Sequence, residues 1–175
     1  MPRSPAGESP AVPPPRVRVG GLGMGHTAAA ALESLGPSAR IVVAELVPAV
    51  VEWNRGSLGE LAGHPLRDPR VTVRVADVAR IPEAAHRPYD AILLDVDNGP
   101  AGLTRKENDR LYSGAGLAAA YAALRPAGVL AVWSAKPDRA FAARLRRAAF
   151  AVSEIRVGTG WASAFSRKAA FTRSA

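Results

Sequence analysis

The stretch RVRVGGLGMGHTAAAALESLG, residues 16–36, places four glycines within six residues between a short β-branched segment and a run of alanines. No other feature constrains the fold as strongly. A strand over Arg16–Val19 has to end, the backbone has to turn where side chains are stripped away, and a helix has to start, closing at Gly36-Pro37. Glycines behind a first strand let the backbone approach a ligand with no Cβ in the way. Gly20, Gly21, Gly23 and Gly25 are therefore candidate cofactor-binding positions.

The alternation continues. Ile41–Ala44 reads as an apolar strand ending on Glu45, and Pro48 suits the first turn of a second helix, where its missing N–H costs little. Val71–Val75 runs into Ala76-Asp77, and Tyr89–Leu94 ends on Asp95. A polar loop, DNGPAGLTRKEND, separates that strand from an apolar helix from about Leu111 to Leu124. The turn Arg125–Gly128 leads into the strand VLAVWSA, and Pro137 opens a helix to about Phe150. Ala151–Val157 and Ser163–Thr172 read as a closing antiparallel pair. Strands alternating with helices predict an α/β fold with a mainly parallel sheet of about seven strands, covered on both faces.

In such sheets the ligand sits beyond the carboxyl ends of the strands. The glycine turn, Glu45, Asp77 and Asp95 all fall there. Glu45 lies 20 residues beyond Gly25, where a carboxylate can accept both hydroxyls of a ribose. Asp77 can accept from an adenine amino group. Together they outline an adenosine pocket, although each has a plainer meaning. A glycine turn can serve close packing, Glu45 can be a helix-start charge favoured by the dipole, and Asp77 can be a turn residue. Gly23-Met-Gly25-His-Thr-Ala28 also satisfies G-x-G-x-x-A, so a nicotinamide cofactor is weighed, but no Tyr-x-x-x-Lys pair accompanies it. No Gly-Lys-Ser/Thr follows the turn, which excludes Walker-type phosphate binding. S-adenosylmethionine or a relative fits better.

Composition narrows the setting. With 175 residues, 48% of them apolar, and no internal repeat, one domain over 16–175 is expected, preceded by a flexible proline-rich tail over 1–15. No window approaches ~18 uninterrupted apolar residues, and cysteine is absent, which excludes disulfides and thiolate metal sites and fits a cytoplasmic protein. The net charge of +8 invites a nucleic-acid reading, yet the arginines are scattered except for Arg144, Arg146 and Arg147 on one helix, so a solvated surface is expected. His26 reads as a helix-start surface residue, and Trp53, Trp133 and Trp161 as packing residues. Gly102–Arg110 reads as an exposed loop polar enough to form a lid.

The segments YDAILLDVDNGP-AGL, LYS and LRPAGVLAVWSAKP, with VGGLGMGHT and VVAEL, resemble the spermidine synthase group of aminopropyltransferases from about Arg16 to Lys136. The resemblance implies a Rossmann-like class I methyltransferase fold, decarboxylated S-adenosylmethionine (or S-adenosylmethionine) as donor, an amine such as putrescine as acceptor, and no metal. It implies Asp95 as the catalytic residue that helps deprotonate the amine, Glu45 and Asp77 as nucleoside acids, and Tyr112 near the acceptor. Asp97 is two residues beyond Asp95, on the same side of an extended segment, so Asp97 and its neighbour Asn98 are further candidate substrate contacts, with a plain turn over Asp97–Pro100 as the alternative. The chain departs from the family pattern at Asn98, where a second acid is usual, and at Gly23 and Met24, where an acid meets the donor's aminopropyl end. The family's amino-terminal β-hairpin region has no counterpart before Arg16. A small-molecule amine is expected as partner rather than nucleic acid or membrane, with a homodimer left open. Two alternatives stand beside this reading: a class I methyltransferase of unknown substrate, and a non-catalytic nucleoside-binding module completed by a partner chain. Val19 precedes the glycine run where methyltransferases often carry an acid, which favours the first reading.

Overall fold

Val17 and Val19 stand level with Ile41 and Val43 across a parallel ladder, and the four are buried together. Around that ladder the rest of the sheet is laid down. The computed structural model describes residues 13–80, 88–96, 110–134, 138–156 and 163–166. In chain order the elements are β1 (Arg16–Gly20), α1 (His26–Ser34), β2 (Arg40–Glu45), α2 (Pro48–Arg55), β3 (Val71–Val75), β4 (Tyr89–Leu94), α3 (Gly114–Ala123), β5 (Leu124–Val132), α4 (Arg139–Arg147), β6 (Ser153–Arg156) and β7 (Ser163–Ser166). Two short 3-10 turns, Ser57–Ala62 and Pro65–Arg67, lie between α2 and β3.

The strand order is β3-β2-β1-β4-β5-β7-β6. The first five are parallel, and β7 runs antiparallel to both β5 and β6. The chain winds outward from β1 to β3, then crosses to β4 on β1's other side. This reversal leaves a crevice between the carboxyl ends of β1 and β4.

Each face of the sheet carries its own core. On one, Val19, Ile41 and Val43 pack with Ala28 and Ala31 of α1 and Val51 of α2. On the other, Ile92, Leu94, Leu130 and Val132 pack with Leu117 of α3 and Phe141 and Leu145 of α4. The alanines of α1 keep that helix close to the strands, because a side chain of one carbon adds little thickness. Because both faces of β1 are covered, the alternation in RVRV does not put Arg18 in water. Arg18 is buried, which corrects the reading of the arginines as uniformly solvated.

Helix starts follow local chemistry. Ser113 Oγ accepts from Gly116 N at 3.1 Å and Asp138 Oδ1 from Phe141 N at 2.9 Å, each filling an orphan donor of the first turn. At the other end of α1, Arg70 Nη1 donates to the carbonyls of Leu32 (3.1 Å) and Leu35 (3.0 Å). The guanidinium is held by Asp68 at 2.9 Å, and this pairing draws the Asp68 carboxyl below its ordinary value.

β5 starts earlier than the sequence suggests. Tyr89 is level with Leu124 and Ala91 with Val129, so the turn Arg125–Gly128 survives as a bulge within the strand, with Ala127 at φ 63°. Two tryptophans are corrected. Trp53 is 59% exposed, because α2 turns Val51 and Asn54 to the sheet and their opposite flank to solvent. Trp133 is 41% exposed, one residue past the last residue of β5. Trp161 lies outside the described residues. Among the described residues no helix is long and apolar enough to cross a membrane.

Candidate functional site

The glycine turn is shaped by its neighbours. Gly21 has φ 89°, and its N–H bonds the carbonyl of Ala44 at 2.9 Å. A Cβ at this position would overlap the Asp95 carbonyl oxygen. Only glycine lets β1 leave the sheet this close to the end of β4. Gly21 and Gly23 line the crevice. The other two glycines serve packing: a Cβ on Gly20 would meet Val78 and Leu94 side chains, and one on Gly25 would meet Asn54 and Pro65.

Glu45, Asp77 and Asp95 face the same crevice as Gly21 and Gly23. Glu45 is 9% exposed, and its two oxygens accept from Leu22 N (2.9 Å) and Val47 N (2.8 Å). A carboxylate offers about four lone-pair sites, so these bonds orient it and leave capacity for a diol. It is both a strut for the glycine turn and a polar group on the crevice wall. Asp77 Oδ1 accepts from Ala79 N at 2.8 Å, which makes a local turn and fixes its carboxylate at the end of β3. Asp95 Oδ2 accepts from Thr27 Oγ1 at 2.5 Å, tying the end of β4 to the first turn of α1. Leu46, Val50, Val78 and Leu111 supply apolar surface.

The crevice has a volume of about 210 Å³. That is below the roughly 300–1,000 Å³ usual for small-molecule sites. The described residues lining it include three carboxylates and no Lys, Arg or His. In a chain of net charge +8 this is a local inversion of sign. A cation within ~4 Å of one such carboxylate gains about 1–4 kcal/mol between bulk water and a partly shielded surface, and an anion meets the opposite.

Two residues that the sequence reading did not single out hold the site together. Thr27 is the donor to Asp95, and the spacing Gly25-His-Thr would have placed its hydroxyl on the first turn of α1. Asn54 is 1% exposed, and its Nδ2 donates to both Gly23 O and Val50 O at 2.9 Å. It links the glycine turn to α2, two walls of the crevice.

Tyr112 is not on the crevice wall. It is 2% exposed and packs edge-on against Phe141 at 5.5 Å, and its neighbour Leu111 lines the crevice instead. His26 is exposed at the first position of α1, as expected. Asp97, Asn98, Lys136 and residues 102–109 of the polar loop lie outside the described residues. Among the described residues no group of three or more His, Asp or Glu is placed to hold a metal ion.

No protein-family model and no curated protein matches the chain. Solved structures do. Spermidine synthase from Thermotoga maritima matches with a TM-score of 0.67 and 20% identity, over 89% of this chain and 54% of that one. A spermidine synthase in complex with the transition-state analogue AdoDATO matches with a TM-score of 0.65 and 20% identity, over 89% and 53%. Human methyltransferase-like protein 13 in complex with SAH matches with a TM-score of 0.65 and 21% identity, over 93% and 75%. The fold is the Rossmann-like methyltransferase fold. The chain spans about half the length of the two spermidine synthases.

Proposed function

We propose that this chain binds a sulfonium nucleoside of the S-adenosylmethionine type and transfers an alkyl group from it. In this reading Glu45 takes the ribose hydroxyls, Asp77 the adenine edge, and the backbone at Gly21 and Gly23 lies against the ligand. The observation that carries it is the convergence of Glu45, Asp77 and Asp95 with Gly21 and Gly23 on one crevice free of described basic side chains. The finer reading is aminopropyl transfer from decarboxylated S-adenosylmethionine to an amine such as putrescine. The sign of the crevice supports it, since the decarboxylated donor carries no carboxylate to meet Asp95.

Asp95 has a defined task in that reaction. A primary ammonium of pKa ~10 is neutral about once in a thousand at pH 7, a penalty of ~4 kcal/mol on the nucleophile. Asp95 accepts the ammonium proton as the nitrogen lone pair forms a bond to the carbon beside sulfur. The carbon–sulfur bond breaks and its electron pair stays on sulfur, leaving neutral methylthioadenosine. Thr27 keeps the carboxylate turned to the crevice while alignment of the two substrates supplies much of the remaining acceleration.

The likeness to a methyltransferase bound to SAH supports a second reading, methyl transfer from intact S-adenosylmethionine. Calorimetric titration with S-adenosylmethionine, its decarboxylated form, methylthioadenosine and NAD separates the two. Aminopropyl transfer predicts preference for the decarboxylated donor. It also predicts that Asp95→Asn lowers turnover by about 10²–10⁴-fold with donor affinity unchanged within about threefold. Preference for the intact donor favours methyl transfer, and silence with all four ligands removes the proposal.

A further inference from the structure

Along the carboxyl edge of the sheet the strand order sets a sequence of stations. Asp77 follows β3, Glu45 ends β2, the glycine turn follows β1, Asp95 follows β4, and Trp133 follows β5. The first four face the crevice. Trp133 is the next one, on the far side of Asp95 from the Glu45–Asp77 pair.

Trp133 N donates to Leu94 O at 2.9 Å, continuing the β4–β5 ladder one step past the pairing of Leu94 with Val132. Leu94 and Val132 both belong to the core under α3 and α4. Side chains alternate along extended chain, so the next residue on each strand turns to the opposite face. Asp95 is on that face, because it bonds Thr27 of α1. Trp133 is one step past Val132 as Asp95 is one step past its partner Leu94, so the register brings the two residues to adjacent strand ends. Val132 before Trp133 and Ser134 after it are fully buried, whereas the indole is left 41% exposed. A single exposed apolar residue is ordinary. A tryptophan flanking a carboxylate at the sheet's ligand-binding edge is a different case, because ring face and carboxylate attract the same kind of group.

We propose that Trp133 is the aromatic wall of the acceptor subsite and selects organic cations over neutral nucleophiles. The proposal deepens the reading of Asp95 as proton acceptor and rests on it. With the nucleoside on the Glu45–Asp77 side, the acceptor reaches Asp95 from the β5 side and so passes over the indole. For a diamine the two ends need different surroundings. The attacking nitrogen must lose its proton to Asp95, while the distant nitrogen stays charged. The indole accommodates the second demand, since it is the strongest cation–π partner among side chains and its face also packs the intervening methylenes.

Calorimetry of putrescine binding to wild type, Trp133→Phe and Trp133→Leu, each with and without saturating methylthioadenosine, tests this. 1,4-Butanediol serves as the uncharged control. Trp133→Leu is expected to weaken putrescine binding about tenfold and Trp133→Phe about threefold, with butanediol bound far more weakly than putrescine. Methylthioadenosine affinity stays within about twofold in both variants, which also reports that they are folded. Putrescine affinity unchanged in Trp133→Leu, butanediol binding as well as putrescine, or no putrescine binding to the wild type overturns the inference. Failure of the wild type to bind methylthioadenosine overturns the crevice reading instead, and the titrations without nucleoside still report on Trp133 by themselves.

Discussion

Gly21 and Asn54 show how closely the crevice depends on single side chains. At Gly21 the left-handed backbone and the nearby Asp95 carbonyl exclude any Cβ. Gly21→Ala is expected to cost about 1–3 kcal/mol through backbone strain, and more if the turn cannot shift. Thermal unfolding and a methylthioadenosine titration check it, with at least a tenfold loss of affinity expected. Asn54→Leu removes the side-chain donor whose partly buried bonds tie the Gly23 and Val50 carbonyls together, costing about 0.5–1.5 kcal/mol. Denaturant unfolding reads that loss, and nucleoside affinity should fall while the fluorescence of the folded state stays native. At this scale the sequence was legible only in part. Glu45, Asp77 and Asp95 stood out because a strand end fixes where a carboxylate goes. The glycines could not be sorted, because a ligand wall and a tight packing contact both exclude Cβ, and only coordinates distinguish Gly21 and Gly23 from Gly20 and Gly25. Tyr112 and Leu111 are adjacent in the turn before α3, and one residue of phase decides which of them meets the crevice.

Between elements, the join of α1 to β3 is the most explicit piece of electrostatics. Arg70 binds the last carbonyls of α1 and is held in turn by Asp68, whose carboxyl is drawn down first by the Arg70 side-chain hydrogen bond and then by the Arg70 backbone N–H. A carboxyl with a lowered folded pKa contributes stability that is fully present above its unfolded value and is lost as pH falls through the folded one. Urea unfolding of wild type and Asp68→Asn should therefore differ at neutral pH and converge as pH falls below about 4. A gap that persists unchanged into acid would contradict the assignment. The spans of β3 and β4 agree with their reading from β-branched periodicity. Helices came out shorter than expected. Leu111 and Tyr112, read into α3, precede its Ser113 cap, and α4 begins at Arg139 behind its Asp138 cap. The bulge in β5 was illegible, because Pro126 and Gly128 signal a turn whether or not a ladder resumes around it.

For the whole molecule, strand order does the organising. Winding β1-β2-β3 one way and β4-β5 the other places four chain-distant polar sites along one edge of a single sheet, and three of them are acids in a chain of net charge +8. Periodicity predicted the layered architecture, since alternating strands and helices have few ways to bury both sheet faces. The exposed Trp133 was hidden because VLAVWSA reads as one continuous buried strand, whereas burial ends at Val132 and resumes at Ser134. A crystal structure of the protein soaked with methylthioadenosine tests the central claim most directly. It should show the ribose hydroxyls on the Glu45 carboxylate, the adenine edge at Asp77, and the sulfur turned towards Asp95. A nucleoside seated elsewhere on the molecule, or seated here with its sulfur turned away from Asp95, would contradict the account.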